Sequence, residues 1–191
     1  MNASAKLLIA AALSLLGGAC SLGRPEVSPP VAHDFGPEPA TLQGDAVTWS
    51  VASVDAPAWL QDDRIRYRLL YADPSQVRFY SRDLWAAPPP HLLSQRLDVA
   101  GGGGNFRLRV DVQVFEQVFD APDRARALLN LNVTAYRPGA ALPVAERRFR
   151  FDEATPGADA PGAVTAFTRL TDQAIEEIRA WLSALPTENK P

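Results

Sequence analysis

The chain has 191 residues with 19 Lys and Arg against 22 Asp and Glu, a formal net charge of −3 that removes any electrostatic case for nucleic-acid binding. With one cysteine, no internal disulfide can form, and two histidines leave little material for an imidazole-based metal or catalytic site. Hydrophobic content of 47% is enough for one domain with a real core.

The N-terminus reads as a processed segment over residues 1–19. Lys6 supplies a positive start, Leu7 to Leu16 an apolar run, and Gly17, Gly18 and Ala19 the small residues a signal peptidase needs. The run is shorter than the ~20 residues that span a bilayer as a helix. Cys20 follows directly, as in a bacterial lipobox, where the thiol is diacylated and the cysteine becomes the mature N-terminus. Leu16 stands one position further out than the usual pattern, with Gly17 in its place. The competing reading is an ordinary secreted protein cleaved near Ala19 with an incidental thiol, which an oxidising compartment disfavours. A diacylglycerol and an N-acyl chain on Cys20 would anchor the protein firmly, at ~0.8 kcal/mol per buried methylene. Ser21 carries no inner-membrane retention signal, so bacterial sorting rules imply the periplasmic face of the outer membrane. Residues 20–32, with Pro25, Pro29 and Pro30, read as an extended flexible tether.

A domain is expected over residues 33–185, with a polar tail at 186–191. His33-Asp34-Phe35-Gly36 reads as a short first strand. Val47, Trp49 and Val51 alternate with polar or small residues, as do Ile65, Tyr67, Leu69 and Tyr71 with Arg64, Arg66 and Arg68; Asp73-Pro74-Ser75 then turns into a strand carrying Val77 and Phe79. Pro88-Pro89-Pro90 opens a short helix with Leu93 and Leu97 on its buried face, which Gly101–Gly104 ends as a flexible connector. Phe106, Leu108, Val110, Val112 and Val114 face one way along a long strand, and the phase slips at Val114-Phe115, predicting a bulge or a change of face. Strands follow through Leu129 to Ala135 and through Phe149 and Phe151. Residues 154–162 read as a mobile loop. Val164, Phe167, Leu170, Ala174, Ile178 and Trp181 then repeat at helical spacing, and Pro186 closes the helix. The strand-helix-strand-helix order predicts a single-domain α+β fold, an α/β sandwich with two helices on a mostly antiparallel sheet.

Chemistry-bearing constellations are sparse. No G-x-S-x-G elbow accompanies His33 or His91, and the glycine run lacks the lysine and hydroxyl residue of a phosphate-binding loop. Asp62-Asp63 and Asp152-Glu153 read as solvated turn residues rather than an acid–base pair. Arg64, Arg66 and Arg68 form a one-sided basic stripe, either a site for lipid phosphate or a partner's carboxylates or the polar outer face of a half-buried strand. Trp59, Tyr71, Tyr80 and Trp85 either line an apolar groove or pack in the core. The expectation is a protein that is not an enzyme, with no metal and no other cofactor.

With these segments placed, the chain resembles the ABC-type transport auxiliary lipoprotein family, the group that includes the paraquat-inducible lipoprotein. The likeness lies in ordered blocks: His33-Asp34-Phe35-Gly36, Ala58-Trp59-Leu60, Arg64 through Ala72, Phe79-Tyr80 with Trp85 and Pro88-Pro89, Phe115 through Phe119, and the helix end Ala180-Trp181-Leu182. The resemblance implies a non-catalytic auxiliary component that docks or scaffolds a lipid transport system at the outer membrane. The implied partners are a mammalian-cell-entry (MCE) domain protein, its permease and its ATPase, with homo-oligomeric rings in some members. A periplasmic lipid-binding carrier that holds phospholipid is the alternative, and a hydrolase a third class. The surface expected to meet a partner or ligand comprises Trp59, Arg66, Arg68, Tyr71, Tyr80 and Trp85.

Overall fold

A computed structural model describes residues 29–37 and 47–186. Cys20, the signal segment and most of the tether lie outside the described residues, as do most of the polar-tail positions.

Among the described residues, seven strands form one sheet: β1 (Val31–His33), β2 (Trp49–Asp55), β3 (Arg64–Leu69), β4 (Asp73–Trp85), β5 (Phe106–Ala121), β6 (Arg124–Tyr136) and β7 (Pro143–Ala154). The described helices are α1 (Pro89–Gly101), which follows β4, and α2 (Ala160–Ser183), which follows β7. The α+β class and the strand-helix-strand-helix order are as expected, but the sheet is mixed rather than mostly antiparallel. Pairings β3/β4, β5/β6 and β6/β7 are antiparallel, whereas β1 runs parallel to β4, and β2 and β3 both run parallel to β5. Period-2 alternation reports which face a residue takes and carries no information on the neighbouring strand's direction. The first strand also ends at His33, where the sequence pattern places its beginning.

β5 organises the sheet. One of its edges pairs with β6 along almost its whole length. The other edge is shared: β2 takes Phe106 to Asp111 and β3 takes Gln117 to Phe119, so the pairing skips the intervening residues and the sheet forks there. The expected phase slip is real, since the β5/β6 register shifts between Val112 and Val114. The bulge lets Phe115 continue the buried series of Phe106, Leu108, Val110 and Val112.

Both helices cover the same face. α2 buries Phe167, Leu170, Ala174, Ile178 and Trp181 of the stripe predicted from helical spacing, leaves its first member Val164 partly buried, and packs on β6 and β7. α1 buries Leu93 and Leu97 and packs on β2. Arg96 of α1 donates to Asp172 of α2 from Nη2 at 2.7 Å and to the Gly36 carbonyl at 3.0 Å, joining the helices and the segment after β1. An aromatic cluster fills the centre: Phe115 and Phe167 stack at 4.0 Å, and Trp85 meets both edge-on.

Two segments expected to be loose are packed joints. Gly101 ends α1 where a Cβ would come within 2.4 Å of the Trp49 carbonyl oxygen, and Gly102 takes a left-handed φ of 64° to turn the chain. Beyond them, the Gly103 N–H donates to the Trp49 carbonyl. Within 154–162, α2 already begins at Ala160. Asp159 caps it by accepting from the Gly162 N–H at 2.7 Å, and Gly162 lies too close to the Gly157 carbonyl to admit a side chain.

Candidate functional site

The face of the sheet opposite the helices carries a groove of about 680 Å³ at the fork. Between β2 and β3 the chain leaves the sheet through a short 3₁₀ turn, Ala58–Leu60, whose Leu60 is buried while Trp59 stays 63% exposed. This turn forms one wall, the skipped stretch of β5 around Val114 the floor, and β3 with β4 the other wall.

Strand alternation sets the groove's chemistry. Ile65 points into the core and is fully buried, so Arg64, Arg66 and Arg68 must point to the uncovered face. Arg68 donates from Nε to Glu116 Oε2 at 2.7 Å and from Nη1 to the carbonyls of Pro74 and Ser75. Arg64 donates to Asp62 Oδ2 at 2.6 Å and lies over the Phe79 ring, 3.9 Å from its centroid. Arg66 differs from both neighbours: it is 5% exposed, its Nη2 donates to Asp62 Oδ2 at 2.8 Å, and its buried Nη1 has no hydrogen-bond partner among the described residues. Burial pushes the Asp62 carboxyl up, but hydrogen bonds from Arg64 and Arg66 outweigh it and bring the pKa down to about 2.

The structure thus brings together Trp59, Arg66 and Arg68 from the expected surface and adds Asp62, Arg64, Phe79 and Glu116. Asp62 sits two and four residues before Arg64 and Arg66, and that spacing was the available signal; it reads as a solvated turn until the strand start places it beside both guanidinium groups. The other expected contacts are elsewhere. Trp85 is 2% exposed inside the aromatic cluster and has no surface to offer a partner, because its strand position points to the helices. Tyr80 packs its ring on Tyr67 and donates its hydroxyl to Gln117 Oε1 at 2.7 Å on the helix-covered side. Burial pushes its phenol above the usual range. Tyr71 is exposed at the β3–β4 turn, outside the groove lining.

The histidines find ordinary partners: His33 Nε2 lies 2.9 Å from Asp83 Oδ1, and His91 Nε2 3.2 Å from Gln95 Nε2. Asp152 pairs with Arg126 and Glu153 with Arg169. Among the described residues, no group of three or more His, Cys, Asp or Glu could hold a metal, and no helix is long and apolar enough to cross a membrane.

A family model for the ABC-type transport auxiliary lipoprotein component matches residues 34–179. The fold is similar to the crystal structure of a Xanthomonas campestris protein of the DUF330 family, with a TM-score of 0.63 and 22% identity over 81% of this chain and 92% of that one. It is also similar to the crystal structure of an uncharacterized protein, with a TM-score of 0.58 and 17% identity over 74% of this chain and 95% of that one. At these identities the likeness to solved structures concerns the fold. No curated protein matches significantly.

Proposed function

Because the chain belongs to the ABC-type transport auxiliary lipoprotein family, we propose that it serves such a transporter as a non-catalytic periplasmic component, held by acyl chains on Cys20 to the outer membrane and docking an MCE-domain protein with its permease and ATPase. The observation that carries the docking role is the solvent-exposed indole of Trp59 on the sheet face that neither helix covers. An exposed tryptophan beside partly paired arginines has the composition of a binding hot spot. In such a system the partner ATPase hydrolyses nucleotide, and this chain contributes position and contact.

Native co-purification of the lipidated protein from membranes, with mass spectrometry of proteins and extracted lipid, tests the assignment. Recovery of an MCE protein with its permease and ATPase is the expected result. Recovery of the chain alone and empty overturns it. The groove itself favours a second reading, a carrier that holds an apolar ligand, and recovery of the chain alone with stoichiometric phospholipid would select that one.

A further inference from the structure

We infer that the groove at the β2/β3 fork is a ligand site for a monoanionic, single-chain amphiphile, whose carboxylate or phosphate ester is received by Arg66. The inference rests on the fork groove being the functional site and adds the class of molecule it takes. Its central observation is the state of Arg66. A guanidinium keeps its charge at any physiological pH, and burying it with a donor unsatisfied is costly unless an acceptor arrives. Asp62 occupies Nη2 and leaves the buried Nη1 without an acceptor, so a head group reaches it by a small shift of the guanidinium towards the groove. Within the lining, Arg64, Arg66 and Arg68 face two carboxylates, Asp62 and Glu116, so one positive charge is in excess. One negative charge neutralises the groove, whereas a dianion would overcompensate.

The rest of the lining selects an apolar body. Val77, Phe79 and Val114 provide the surface along which a chain can lie, and Trp59 stands at the exposed rim, where it can close over it. A volume of about 680 Å³ is in the range of small-molecule sites, which are mainly apolar with a few convergent polar groups. A small inorganic anion would leave the apolar walls unused, and a neutral chain would leave Arg66 unanswered.

The test is equilibrium dialysis of the full-length protein in nanodiscs against labelled octanoate, methyl octyl phosphate (a phosphodiester with one negative charge), 1-octanol and inorganic phosphate, with empty nanodiscs as reference. Saturable binding of octanoate or methyl octyl phosphate, at least tenfold tighter than octanol and inorganic phosphate, is expected. Whichever of the two binds more tightly assigns a carboxylate or a phosphate-ester head. Arg66→Met should abolish that preference. Should this variant unfold, Val77→Asp keeps the site testable: it introduces a negative charge at a partly exposed groove position and should weaken octanoate at least tenfold with an unchanged melting curve. Equal binding of octanoate and octanol, equal binding of the amphiphile and free phosphate, or indifference to a folded Val77→Asp protein overturns the inference. So does a groove that only a co-purifying partner polypeptide occupies. If transport partners are recovered while octanoate fails to bind, the ligand is lost and the docking role stands.

Discussion

The indole N–H of Trp49 donates to the main-chain carbonyl of Leu97 at 2.9 Å, fastening the first residue of β2 to the last turn of α1 across 48 positions of sequence. Gly101 lies against the same tryptophan, so close that an added Cβ would fall 2.4 Å from its carbonyl and 2.6 Å from its ring. Both approached atoms belong to a fully buried residue held by backbone pairing, and neither can retreat cheaply. Gly101→Ala should therefore cost about 1–3 kcal/mol, the usual penalty of overpacking, despite alanine's better helix propensity. Urea unfolding of the two proteins checks it, and equal midpoints would mean that the joint is looser than its geometry.

The two tryptophans flanking the β3–β4 hairpin separate by the same logic. Trp85→Ala empties a site lined by Phe35, Phe115 and Phe167 and should lose about 3–5 kcal/mol. Trp59→Ala removes an indole that is mostly in water and should leave the unfolding transition within ~0.5 kcal/mol of the parent. In co-purification from membranes, the Trp59 variant should lose partner recovery while remaining folded. Full recovery with that variant would move the docking surface away from the fork.

Gln117 is fully buried, accepts from the Tyr80 hydroxyl and donates from Nε2 to the Asp159 carbonyl at 3.3 Å, just where α2 begins. Tyr80→Phe leaves the Gln117 oxygen without this donor, and a loss of about 1–2 kcal/mol is expected. Tyr80 itself, pushed above the normal phenol range chiefly by burial, should ionise later than free tyrosine in an alkaline absorbance titration. Its folded pKa is raised, so its stabilisation is complete below the unfolded value near 10 and declines as pH rises beyond it. Removal of the late phase in Tyr80→Phe would assign it.

What could be read from the linear chain follows a physical division. Periodicity carries burial: the stripe of α2, the buried Leu93 and Leu97, and the slip at Val114-Phe115 are all where alternation or helical spacing places them. Strand partners are set by contacts distant in sequence, so the parallel placement of β2 and β3 on one edge of β5, and with it the fork, has no local signature. The site inherits that limit. Arg64, Arg66 and Arg68 share one face and one residue type, yet only Arg66 is buried, because the fork and Phe79 enclose the middle of the stripe. Trp59 and Trp85 look equivalent as aromatics near turns, and only the tertiary arrangement sends one to solvent and the other to the core. Gly101 shows the same limit in the backbone: a four-glycine run suggests flexibility, while close packing on Trp49 is what its first member provides.

Asp62 holds Arg64 and Arg66 together, and its acid titration should be visible in stability. Its carboxyl is depressed to about 2 in the folded protein from an ordinary 3.8. A depressed folded pKa means that its stabilisation is present above pH ~4 and is lost as pH falls from there through about 2. Asp62→Asn removes the charge facing buried Arg66 and should cost about 1–2 kcal/mol at neutral pH; that is less than for a wholly buried pair, since the Asp62 side chain is 35% exposed and screened by solvent. Urea midpoints of the parent and the variant should differ at pH 6 and converge towards pH 2. A gap that persists unchanged at pH 2 would show that the carboxylate charge is not what steadies the stripe, and that Arg66 is held by its contact with Phe79 instead.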